Sequence, residues 1–419
     1  FLLLLGAKAL NLVKKLLIGN LFGVSAVADA FFAASYLPYY VAILFEGILF
    51  LGFLPLFAQL ISEKGREEAN QFVSEALFLI VLLTGLFVLS SWIAAPWIIQ
   101  QLVPGFTLQE RELTQSLFQI SSLVVIFLSL CSFFRALNSH FEHSIFAASS
   151  GAVDAVITVI VILLSWKLWG NYGGAWALVA GAFGSFIFQA FFLCRKYSVF
   201  SSTFFNQMVW IRKFIFFLIP VTIIWAFQQV PLVILNRFGS GMWEGTISAL
   251  AISQALTTVP MGFVSHTILL LVFPSLAKQA TEESQENVKK TFFQTLRAAF
   301  FILIPMGFLL SGLARPVTVL FFGGSDAGGE STLRIANALT CFGWATFALY
   351  SDLFMTQSLI AIRKIWPAII LSAIRALLTY GIGYFLASVW DYQGLALSFS
   401  LALVINLFVL TYVTSYLDR

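Results

Sequence analysis

Long apolar stretches, each the length of a membrane crossing, fill this chain in two series. The second series repeats the landmarks of the first about 216 to 220 residues later. Phe22-Gly23 returns as Phe238-Gly239. Pro55-Leu56-Phe57-Ala58-Gln59, followed by Ser62-Glu63-Lys64, returns as Pro274-Ser275-Leu276-Ala277-Lys278, followed by Thr281-Glu282-Glu283. Ala95-Pro96 matches Arg315-Pro316, and Asn171-Tyr172-Gly173-Gly174-Ala175-Trp176-Ala177-Leu178 matches Asp391-Tyr392-Gln393-Gly394-Leu395-Ala396-Leu397. An offset that holds over the whole length means two diverged copies of one bundle, placed here at 1–200 and 201–419.

A helix needs about 20 apolar residues to cross a bilayer. Such spans fall at 1–22, 30–60, 73–100, 114–137, 144–166, 174–194, 213–236, 246–273, 291–314, 332–360, 366–389 and 394–416, six in each copy. Charged residues are 10% of the chain, far below the roughly 25% of a soluble domain. The fold class is therefore an all-α polytopic membrane protein of about 12 transmembrane helices. An even number of spans per copy sends both copies into the membrane in the same direction. The six-helix lobes are then parallel repeats related by an axis along the membrane normal, not inverted ones. Lys and Arg gather in connections after even-numbered spans, as at Lys64, Arg66, Arg195 and Lys196, which places both termini in the cytoplasm.

The opening Phe1-Leu2-Leu3-Leu4 runs on into Lys8 and Lys14 without a small-residue cleavage pattern, and reads as a first transmembrane helix and not a signal peptide. A net charge of +4 suits cytoplasmic loops beside anionic headgroups and gives no reason to expect nucleic acid. Cys131, Cys194 and Cys341 have no paired spacing, which argues against a disulfide or a metal site. With three histidines, no Cys-His spacing and no Gly-rich phosphate loop, neither a metallohydrolase nor an ATP-driven pump can be built from these residues. The expectation is a transporter, not an enzyme, with no cofactor. A coupling cation or the membrane potential is left open as its driving force. His140 and His143, beside Arg135 and Glu142, read as a solvated turn between spans 4 and 5.

Charges inside apolar spans carry the information, because each costs about 2.5 to 3.5 kcal/mol at mid-membrane. Lys8, Asn11 and Lys15 share one face of the first helix, with Lys14 close to it, forming a cationic stripe. The stripe either snorkels to an interface or faces a wet cavity. Asp29 suits the N-terminal cap of the second helix. Glu46 lies too deep for that, and is expected to pair with a first-span lysine or to titrate. Asp154 reads as a helix-packing or hydrogen-bonding residue, and Asp352 with Arg375 as a structural pair between spans 10 and 11. Pro38, Pro55, Pro220, Pro231, Pro260, Pro274 and Pro305 interrupt spans, and the repeated pair Pro55/Pro274 is the kind of matched break that flanks a midplane site. Gln228, Gln229 and Gln254 give the second copy neutral polarity where the first has charge. Spans 1, 2, 7 and 8 thus hold the polar residues and are expected to line a cavity.

The string Leu21-Phe22-Gly23, Ala28-Asp29-Ala30-Phe31-Phe32, Leu37-Pro38, Phe45-Glu46-Gly47 and Phe53-Leu54-Pro55 resembles the opening of the MurJ/MviN lipid II flippases. Ala94-Ala95-Pro96-Trp97, Pro104-Gly105-Phe106, Ala136-Leu137-Asn138, Phe273-Pro274-Ser275-Leu276 and Gly394-Leu395-Ala396-Leu397-Ser398 follow in that family's order. Singly these strings are weak; in series they resemble the wider superfamily of multidrug, oligosaccharidyl-lipid and polysaccharide exporters. The resemblance implies two lobes around a V-shaped cavity in the bacterial inner membrane. Alternating access there moves an undecaprenyl-linked saccharide from the cytoplasmic to the outer leaflet. It puts Lys8 and Lys14 where the family has cavity arginines, and matches Asp29 and Glu46 to family acids. The family's other arginines are replaced here around Val41-Ala42-Ile43 and near Gln254-Ala255, and its thirteenth and fourteenth helices do not appear before Arg419.

The expected substrate site is therefore Lys8, Asn11, Lys14, Lys15, Asp29, Glu46, Gln228, Gln229 and Gln254. Lysine in place of arginine gives up the bidentate fork that suits phosphate. Expected partners are a polyprenyl-pyrophosphate-linked saccharide, with lipid II first, then membrane lipids and cell-wall synthases. The other readings are a flippase for another polyprenyl-linked polysaccharide precursor, a cation-coupled multidrug exporter of the same fold, and a scaffold for envelope synthesis that transports nothing. The cationic first helix argues against the exporter.

Overall fold

The computed structural model describes residues 2–141, 144–196, 208–258, 285–326, 329–361 and 365–416, and every regular element among them is helical. Its helices are α1 (Leu2–Phe22), α2 (Ala26–Ile48), α3 (Leu54–Lys64), α4 (Arg66–Leu102), α5 (Leu108–His140), α6 (Ser144–Trp169) and α7 (Gly173–Lys196). Then come α8 (Met208–Gly239), α9 (246–258), α10 (Gln285–Gly312), α11 (Ala314–Asp326), α12 (Glu330–Gly343), α13 (Thr346–Ala361) and α14 (Ile365–Tyr416). Eight of the described helices are long and apolar enough to cross a membrane. His143, His266, Pro260, Pro274 and most of the eighth span lie outside the described residues.

Several expected spans are subdivided, each at a point the residues explain. The second span is α2 and α3 joined by a five-residue π turn, Leu49–Phe53, with Pro55 in the first turn of α3. Proline has no N–H to donate, and the wider π turn absorbs the mismatch. The tenth span divides into α12 and α13 at Trp344-Ala345, where Gly343 lies against Gly307 of α10 so closely that a methyl on Gly307 would stand 2.7 Å from the Gly343 carbonyl oxygen. The eleventh and twelfth spans run together as α14, but Trp390 and Asp391 (φ 53°) leave helical geometry between them. The matching place in the first copy is the single 3-10 turn Gly170–Tyr172, with Gly170 at φ 49°. Both copies of the Asn/Asp-Tyr motif thus mark the turn between their fifth and sixth spans. Helix α11 falls between the ninth and tenth spans, where no helix is expected from apolar length.

The chain forms two compact units, Phe1–Ile18 with Ala30–Thr222, and Gly19–Asp29 with Ile223–Arg419. The first unit is built around phenylalanine: the Phe53 ring lies 5.3 Å from Phe72, 4.9 Å from Phe133 and 6.1 Å from Phe214. The second packs Leu235, Leu250, Phe342, Tyr392, Leu395 and Phe399 together. Serine and threonine stay in the apolar helices by returning their hydroxyls to the preceding turn, as Thr84 does to Ile80 (2.7 Å) and Thr295 to Thr291 (2.7 Å). Outward-facing apolar side chains such as Ile93 (83% exposed), Phe216 (81%) and Phe301 (84%) are placed for contact with lipid, not water.

Candidate functional site

In the first unit α1 and α6 are joined by two polar contacts with the same three-residue spacing on each helix. Asn11 Nδ2 donates to the Gly151 carbonyl at 3.2 Å, and Lys14 Nζ donates to Asp154 Oδ2 at 2.5 Å. Residues three apart lie on one helix face, so the contacts register the two helices along one line. Lys14 also donates to Tyr39 Oη of α2 at 3.4 Å, with its ammonium 5.6 Å from the Tyr39 ring centroid. Lys14 and Asp154 are buried, at 6% and 7% exposure. The second carboxylate oxygen of Asp154 and the Thr158 hydroxyl have no hydrogen-bond partner. Both face Gly181 of α7, where a Cβ would lie 2.9 Å from Asp154 Oδ1 and still nearer the Thr158 hydroxyl. Glycine lets α7 approach these oxygens closely.

The partner of Lys14 is Asp154 of α6, a pairing that the sequence did not suggest. Glu46 does not pair with Lys14. Its Oε1 lies 2.5 Å from Arg135 Nη2 of α5, and the Arg135 guanidinium sits 5.2 Å from the Phe50 ring in the π turn. The expected fourth span ends at 137, with Arg135 in its last turn, and α5 carries on to His140. His140 ends α5 half-buried, its ring edge-on to Phe57 at 5.0 Å. Asp154, expected to pack helices or to hydrogen-bond, is the ion partner of Lys14. Lys8 and Lys15 lie on α1, but their side chains fall outside the described residues.

Asp29 does not cap its own helix either. That place is taken by Ser25, whose Oγ accepts from the Ala28 N–H at 3.2 Å. Asp29 instead accepts from the N–H groups of Gly245 (2.7 Å) and Ser248 (2.6 Å), capping α9 within the second unit. Gly245 carries no side chain to cap with, and its φ of 92° suits only glycine. The free N–H groups at the start of α9 therefore take their acceptor from elsewhere in the fold.

The expected pair of Asp352 and Arg375 forms, and it is part of a larger cluster. Arg375 donates from Nη1 to Asp352 Oδ2 and from Nη2 to the Gln228 carbonyl, while Asn406 Nδ2 donates to Asp352 Oδ1 at 2.8 Å. All four residues are buried. The Gln228 carbonyl adjoins that of Phe227, which Pro231 leaves without its usual donor. Gln228 thus contributes its backbone here. Gln229 and Gln254 are half-buried on α8 and α9. Asn406, a single amide among apolar neighbours near the end of the chain, was not anticipated.

The family model described as "Lipid II flippase MurJ" matches residues 18–416. The chain belongs to the MurJ lipid II flippase family. A probable lipid II flippase MurJ of Buchnera aphidicola subsp. Schizaphis graminum is 24% identical over 403 residues, covering 95% of this chain and 78% of the relative. In fold the chain is similar to a solved MurJ in an inward closed conformation, with a TM-score of 0.81 at 20% identity over 98% of this chain and 86% of that one. It is also similar to an inward-facing multidrug resistance MATE transporter of the MOP superfamily, with a TM-score of 0.77 at 12% identity over 98% and 95% of the two chains. Like the MurJ family it belongs to, the chain is a multi-pass membrane transporter and not a catalyst of a chemical reaction. The match begins at residue 18, so Asn11 and Lys14 precede it.

Proposed function

We propose that this chain moves lipid II from the cytoplasmic to the outer leaflet of a bacterial inner membrane by alternating access, with both termini in the cytoplasm. The observation that carries the reading is the MurJ family match, which runs almost unbroken from the end of α1 to the end of α14. Lys14 is the side chain we assign to the pyrophosphate. An ammonium kept inside an apolar bundle is costly unless it serves an anion, and Asn11 beside it supplies a neutral donor. Lys8 and Lys15 extend the same helix as further cations.

The test is complementation in a bacterium depleted of its own lipid II flippase, with membrane abundance of this chain measured in parallel. Growth should be restored, and lipid II should become accessible to a membrane-impermeant enzyme added outside the cell. If the chain is present at normal abundance and lipid II still accumulates on the cytoplasmic face, the cargo is not lipid II. Accumulation of a different polyprenyl-linked saccharide on deletion of the native gene would name the replacement.

A further inference from the structure

Among the described residues two ion pairs are buried within the membrane helices, and they are built differently. In the second unit both oxygens of Asp352 are held, one by Arg375 and one by Asn406, while Arg375 forks onward to the Gln228 carbonyl. That arrangement is locked on both sides. In the first unit Asp154 holds Lys14 through Oδ2 alone, and Oδ1 has no hydrogen-bond donor. Lysine is a single flexible cation where arginine is a rigid fork. Tyr39 Oη, 3.4 Å from Nζ, gives the ammonium another partner as it turns away. The Thr158 hydroxyl, without an acceptor and one helical turn from Asp154, is a donor in reserve for the carboxylate.

We infer that Asp154 is an internal counter-anion, which occupies Lys14 while the transporter is empty and is displaced by the pyrophosphate of the cargo. This rests on the reading of Lys14 as the pyrophosphate ligand. A carboxylate and a phosphate oxygen are the same kind of acceptor for an ammonium, so one replaces the other without rebuilding the site. Empty, the pair is neutral, and the carrier passes through its return step without a bare ammonium among apolar helices. Loaded, Lys14 is neutralised by cargo, and Asp154 turns to Thr158. The competition lowers apparent affinity for cargo by the fraction of time that Lys14 is free, and it also speeds release.

The experiment measures binding of farnesyl pyrophosphate to the purified full chain in nanodiscs, with farnesol as the uncharged control. Removing the competitor by Asp154→Asn should tighten binding of the pyrophosphate about ten-fold, the gain expected if Lys14 is free about a tenth of the time. Farnesol binding should not change. The same variant should flip cargo more slowly in proteoliposomes despite binding it more tightly, a split that simple loss of packing does not produce. Lys14→Ala should weaken binding, and the double variant should bind no better than Lys14→Ala. Asp154→Ser removes the same charge and keeps a small hydroxyl against Gly181, so it reads the same quantity if the asparagine variant fails to fold. Unchanged or weaker binding in both Asp154 variants, with weaker binding in Lys14→Ala, overturns the exchange and leaves the Lys14 reading standing. Lys14→Ala binding like the unaltered chain removes both.

Discussion

A lysine with 6% exposure in a membrane helix has to be explained by its partners, and Lys14 has Asp154 and Tyr39. If it also serves cargo, Lys14→Arg should retain function and Lys14→Ala should lose roughly 10- to 150-fold in binding. That range corresponds to a charge-assisted hydrogen bond of about 1.5 to 3 kcal/mol. Complementation of a flippase-depleted strain, corrected for abundance, checks it, and equal rescue by both variants would refute it. Arg375 calls for a different outcome. Arg375→Leu strands Asp352 in the bundle and should destabilise the protein by about 3 to 5 kcal/mol, whereas Arg375→Leu with Asp352→Leu should recover most of that loss. Thermal denaturation in detergent distinguishes the two variants. The positions of these charges were legible, because a charge in an apolar run stands out. Their partners were legible only where two charged spans are neighbours in sequence, as with Asp352 and Arg375. For Lys14 and Glu46, helical periodicity fixes a face of one helix but not which other helix meets it.

The same limit appears for whole elements. Span positions could be read from apolar length, but the breaks within them follow from close contacts between helices. Gly343 against Gly307 divides the tenth span, and no local propensity announces it. The break at Pro55 and the Asn/Asp-Tyr turns between the fifth and sixth spans could be anticipated, because each motif appears twice in the sequence. The contact of α6 with α7 at Gly181 gives a prediction of its own. Gly181→Ala puts a methyl against Asp154 and Thr158 and should lower stability by about 1 to 3 kcal/mol, the usual cost of overpacking. It should also separate α6 from α7 enough to raise the exchange of backbone amides near Asp154. Unchanged exchange there would show that the helices yield without cost. At the start of α9, Asp29→Ala removes a cap worth about 0.5 to 2 kcal/mol. Limited proteolysis should then cut first near Gly245.

At the scale of the molecule, the repeat was the most legible property. The turn between the fifth and sixth spans and a buried charge pair recur in both copies, but with different residues: Lys14–Asp154 in one unit, and Arg375 with Asp352, Asn406 and Gln228 in the other. The orientation drawn from the positive-inside pattern is tested by labelling a cysteine-free variant with a membrane-impermeant maleimide. Gln109→Cys should label in intact cells, and Glu67→Cys only after permeabilisation. The reverse pattern would invert the protein.

The cap that α9 receives from Asp29 also sets an order in time. The acid is made 216 residues before Gly245, a delay of roughly 10 to 40 seconds at the usual pace of synthesis. During that interval the carboxylate is at the membrane with none of the amides it later serves. A chain that stops short of Gly245 keeps a buried-to-be acid with no amides to receive it, so this cap is a contact that synthesis makes possible only after the second copy has begun.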